Sequence, residues 1–125
     1  MKYSISIDHK LKIIRYRHSG LIHAEEIEAA WQEFLEMNEF TELKYNLLSD
    51  YKASQFEIKI SQLSEIIDFM RAIENIVKGK KQAIIVDNPQ SVARSILFKN
   101  KAYDEIGFDV KIFTTEAAAL KWLTE

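Results

Sequence analysis

The feature that most constrains this chain is a hydrophobic period that switches repeatedly between strand-like and helix-like spacing. The clearest unit is "QAIIVDNPQSVARSILFKN", residues 82–100. Residues 82–86 form a short apolar run bounded by turn signals, which predicts a strand buried on both faces. Asp87-Asn88-Pro89 follows, a capping residue ahead of proline at the first helical position. Val92, Ala93, Ile96 and Leu97 then predict the inner face of a helix.

The same alternation runs along the chain. Tyr3, Ile5 and Ile7 alternate with Ser4, Ser6 and Asp8, and residues 11–17 read as a second strand after a turn at Asp8-His9-Lys10. Ser19-Gly20 breaks this hairpin. Ile27, Trp31, Phe34 and Leu35 mark one stripe of a helix over residues 24–37, and residues 44–49 read as a strand. Leu63, Ile66, Ile67, Met70, Ile73 and Val77 predict one long helix, capped by Ser61 and stopped near Gly79. Residues 109–113 are the last strand, and Thr114-Thr115 opens a final helix carrying Ala118, Leu120, Trp122 and Leu123. The expected fold class is α/β: a mixed sheet opening with a β-hairpin, followed by right-handed βα units. One domain over residues 1–125 is expected, since 125 residues and 47% hydrophobic content suit one core.

Composition removes several classes of function. The net charge of −2 draws the chain neither to nucleic acid nor to anionic lipid. Without cysteine there is no disulfide framework, thiolate nucleophile or cysteine metal site, which fits a cytoplasmic setting. No signal peptide is read at "MKYSISIDHK", and no apolar run reaches membrane-spanning length.

Ligands of open parallel sheets lie beyond the carboxyl ends of the strands. Here those ends predict a rim of Ser49, Asp50, Tyr51 and Ser54, with Asp87, Asn88 and Thr114 beside them. The stretch 49–54 reads as an exposed polar loop. Asp50 and Asp87 with neighbouring hydroxyls offer a remote magnesium-dependent phosphoryl reading, against which these residue types also serve as turn formers and caps. The three glycines, at 20, 79 and 107, form no phosphate-cradling loop. His9, His18 and His23 show no metal-ligand spacing, and His18-Ser19 reads as a solvent-facing hairpin end. Lys78-Gly79-Lys80-Lys81 reads as a solvated basic turn. No metal, cofactor or catalytic residue is expected.

An opening hairpin followed by glycine, then βα units ending in "QAIIVDNPQSVARSILFKNKAYDEIGFDVKIFTTEAAALKWL", resembles the STAS domain family, above all its small stand-alone SpoIIAA-like (STAS/SEC14-like) members. Pro89 after "QAIIVDN", Gly107 in "YDEIGF" and the closing "TTEAAALKWL" carry the resemblance over nearly the whole chain. It implies a non-catalytic regulatory module with a protein partner. That family includes bacterial anti-sigma-factor antagonists, which are switched by phosphorylation of a serine in an Asp-Ser-Ser-Gly motif at the start of the second helix. The matching place here is Glu57-Ile58-Lys59-Ile60, which holds no serine, with Ser54 and Ser61 on either side. The alternative expectation is a small carrier of a hydrophobic ligand, with a pocket under Ile67, Met70 and Ile73. Self-pairing through the opening strand would give a homodimer.

Overall fold

A computed structural model describes residues 3–125. The elements follow as β1 (Tyr3–Asp8), β2 (Ile13–His18), β3 (Gly20–His23), α1 (Ala24–Leu35), α2 (Asn38–Thr41), β4 (Asn46–Asp50) and β5 (Ser54–Glu57). After these come α3 (Ile60–Ala72), α4 (Glu74–Val77), β6 (Lys81–Ile85), α5 (Pro89–Ile106), β7 (Asp109–Phe113) and α6 (Glu116–Leu123). Five strands form a sheet in the order β1-β2-β4-β6-β7. Only β1 runs antiparallel, paired with β2 in a hairpin that sets Ile5 opposite Tyr16. The mixed α/β sheet with its opening hairpin is the architecture the alternating periods predict.

Alternation along the strands divides the core. Ile14, Tyr16, Leu47, Ile84 and Val110 point to the side covered by α1, α3 and α5. Ile13, Leu48, Ala83 and Ile85 point to the other side, where Ala119, Trp122 and Leu123 of α6 cover them. In α6 it is Ala119 that is buried, while Ala118 is exposed.

Several elements differ from the sequence reading. A second, two-stranded parallel sheet joins β3 to β5, with Ile22 opposite Phe56. These strands are four residues each, too short for a period of 2 to be read. The long helix is two pieces: α3 ends at Ala72 and α4 begins at Glu74, with Ile73 between them at φ −114°, ψ 25°. Ser61 is not the cap of α3. Lys59 precedes the helix, and its backbone N–H donates to Gln62 Oε1 at 2.8 Å, so the orphan donor is met from inside the first turn. The buried inner face of α5 is Ser91, Ser95, Phe98, Ala102 and Ile106; of the expected residues Val92 is half-buried and packs against the core, whereas Ala93, Ile96 and Leu97 are exposed. Small serines at the contact let the helix approach the core closely, and Ile96 and Leu97 turn outward.

Candidate functional site

Backbone and side-chain hydrogen bonds at the strand ends knit three connections into one rim. Tyr51 N–H donates to the Ile85 carbonyl at 2.8 Å and Val86 N–H to the Phe113 carbonyl at 3.0 Å. Ala53 N–H donates to Asp87 Oδ2 at 3.3 Å, and Asn88 Nδ2 donates to the Ser54 carbonyl at 2.9 Å. Gly20, whose φ of +79° favours glycine, donates its N–H to the Ala53 carbonyl. The result is a shallow groove of about 410 Å³ along Leu21, Ser54, Gln55, Asp87 and Asn88.

The expected exposed loop at 49–54 is mostly interior. Ser49 and Asp50 belong to β4, Ser54 opens β5, and all three are buried, as is Tyr51. Parallel neighbours on both sides enclose β4, so its polar residues find internal partners. Gln82 Nε2 donates to Ser49 Oγ at 2.9 Å, Ser54 Oγ donates to the Tyr51 carbonyl, and Asp50 pairs with Arg17 Nε at 3.4 Å. Asp87 and Thr114 stay exposed and Asn88 half-buried. Asn88 Oδ1 caps α5 by accepting from Ser91 N–H at 2.9 Å; Thr115, not Thr114, caps α6. Asp50 and Asp87 are therefore committed separately, one to an arginine across the sheet and one to a backbone N–H. No three His, Cys, Asp or Glu side chains converge among the described residues.

Two polar groups read as solvated are enclosed instead. His18 is 0% exposed, with Nδ1 2.5 Å from Tyr16 Oη and Nε2 3.2 Å from Glu26 Oε2. Lys80 is 4% exposed; its ammonium donates to the Phe40 carbonyl and lies 4.2 Å from that ring's centroid. Burial, with repulsion from Lys44 adding to it, lowers the Lys80 pKa to about 8. Neither group lines the groove.

Beneath the rim, α1, α3, α5, β5 and β6 surround a mainly apolar cavity. The cavity holds about 40 Å³, and about 440 Å³ when the space open to solvent is counted. Trp31, Phe56, Leu63 and Ile66 form its walls, with Tyr51 and Gln82 also among the lining residues. It lies against Leu63 and Ile66, toward the start of α3, rather than under Ile67, Met70 and Ile73. Burial raises the Tyr51 phenol well above the usual tyrosine range, against a lowering hydrogen bond from Ser49. Sequence reasoning missed Gln82, Arg94 and Ser95 here. A glutamine opening an otherwise aliphatic strand was the available signal.

No family model and no curated protein matches the sequence. A solved structure of an uncharacterised DUF3478-family protein from Shewanella loihica, described as having a SpoIIAA-like fold, superposes with a TM-score of 0.54 at 12% identity. The match covers 97% of this chain and 93% of that one. The fold is SpoIIAA-like. In this SpoIIAA-like arrangement the start of α3, Ile60, is exposed, and no helix among the described residues is long and apolar enough to cross a membrane.

Proposed function

We propose that this SpoIIAA-like protein is a non-catalytic regulatory module that works by binding another protein. The observation that carries the reading is the outer surface of α5. Ala93, Ile96 and Tyr103 are exposed and fall on a helix face turned away from the serine-lined inner face, while Val92 packs partly against the core. Ile96 is 44% exposed and Tyr103 63%, with Leu97 at 38% beside them. Exposed aliphatic and aromatic side chains gathered on one helix face fit a partner's apolar surface. Asp87, Asn88 and Thr114 extend the proposed surface at the rim. The groups best suited to acid–base chemistry, His18 and Lys80, are sealed in the interior, which supports a binding role over a catalytic one.

The test is a photo-crosslinking amino acid placed at position 103, with crosslinked proteins identified by mass spectrometry from the host. The expected outcome is one dominant adduct, lost in Ile96→Glu, which keeps its fold because the position is exposed. A second copy of the chain would be a homodimer form of the same reading. Absence of a dominant adduct, or an adduct insensitive to Ile96→Glu, would overturn the α5 surface.

A further inference from the structure

The cavity has a polar floor that the protein leaves unfinished. Gln82 and Ser95 both line it, and each is 3% exposed. Gln82 Nε2 is used by Ser49, but Gln82 Oε1 and Ser95 Oγ have no hydrogen-bond partner among the described residues. A buried polar atom without a partner costs about 1–3 kcal/mol, so two in one apolar cavity call for an occupant. The tyrosine on the wall adds a third polar group, since Tyr51 interacts with Ser49 through its hydroxyl and its burial keeps the phenol protonated.

We infer that this cavity is a binding site for a small neutral amphiphile whose head group both donates and accepts a hydrogen bond, an alcohol or primary amide. An O–H or N–H of the ligand donates to Gln82 Oε1, and its oxygen accepts from the Ser95 hydroxyl. The cavity's 40 Å³ is about a quarter of an engineered apolar cavity that takes benzene. It therefore accepts a head group and the first carbon, while the apolar body extends along the open side of the cavity, against apolar lining residues such as Trp31 of α1 and Leu63 of α3. A carboxylate fits poorly. Gln82 Oε1 would face its negative oxygens; Arg94 on the lining donates its Nε to the Ile58 carbonyl at 3.0 Å and keeps its Nη donors, so pentanoate is the probe that would reveal an acid-binding site instead.

Three probes separate the possibilities: 1-pentanol, its isomer butyl methyl ether, which lacks the O–H, and pentanoate. Binding is read from ¹³C-methyl shifts of Leu63, Ile66 and Ile84 during titration, with Ile13 on the opposite face of the sheet as the remote control. Saturable shifts at the cavity methyls are expected, with pentanol at least about tenfold tighter than the ether. In Gln82→Leu the preference for alcohol over ether falls to near one while binding persists. Ser95→Ala, which alters only a hydroxyl, narrows the same ratio and stands in if the leucine variant fails to fold. Failure of every probe to saturate would leave the floor to ordered water and overturn the site. Equal affinity for alcohol and ether, or tighter binding of pentanoate, would overturn the head-group assignment. None of these results depends on the α5 surface.

Discussion

Lys80 carries its charge into the interior with one carbonyl and one ring for company, and that leaves a signature in pH. Its pKa falls from 10.5 to about 8 on folding because burial disfavours the ammonium. Between those values the unfolded chain holds the proton more tightly than the folded one, so stability rises as pH increases through this window. The full shift corresponds to at most about 3 kcal/mol. Urea unfolding at pH 7.5 and 9.5 should therefore show a gain for the natural protein and little or none for Lys80→Met. An equal gain in the variant would place the titration elsewhere. Measurements stop near pH 9.5 because burial raises Tyr16 and Tyr51. Their unfolded phenols ionise first, so stability falls again above about pH 10. A basic turn sequence gave no hint that Lys80 is enclosed, because its acceptor lies forty residues away on α2. His18 was more legible than it was read. Tyr16 stands two residues earlier on the same strand face, which is where period 2 would put a partner.

Caps give the helices measurable and unequal ends. Asn88 accepts from Ser91 N–H and also donates to the Ser54 carbonyl, tying α5 to β5, whereas Thr115 only accepts from Ala118 N–H in solvent. Asn88→Ala should cost about 2 kcal/mol and Thr115→Ala about 1 kcal/mol or less in chemical denaturation; the reverse order would remove the rim tie from the account. Gly107 ends α5 at φ +79°, and an added Cβ would meet nothing nearer than Lys78 Cγ at 3.6 Å. Gly107→Ala should thus lose only backbone energy, about 1–2 kcal/mol, seen as a lower melting temperature without a change in fold by circular dichroism. The run from β6 into α5 was readable because its cap and proline are local signals. The β3–β5 pair was not, since each strand's only sheet partner lies 34 residues away. The orientation of α5 was misread because size and closeness of packing, rather than hydrophobicity alone, chose serines for the interior. For the candidate site, strand ends located the rim and supplied Ser49 and Tyr51, but the depth at which they sit required the neighbouring strands.

The molecule balances a thick helical cover on one side of its sheet against a single eight-residue helix on the other. The opposite side is also shared with polar side chains: Arg15 of β2 bridges to Glu116, the first residue of α6, at 2.8 Å. Trp122 is 8% exposed and packs with Phe113 at 5.8 Å between ring centroids. Trp122→Ala should cost about 3–5 kcal/mol, a large part of the roughly 5–15 kcal/mol available to a domain. A urea midpoint that barely moves would show that α6 is dispensable to the sheet. The position of α6 in the chain also matters while the protein is being made. Every strand it covers leaves the ribosome before it does, so Ile13, Leu48, Ala83 and Ile85 present a bare apolar strip until residues 116–123 have emerged. A chain truncated just after β7 and released would hold a paired sheet with one sticky side, a natural target for chaperones that recognise exposed aliphatic surface.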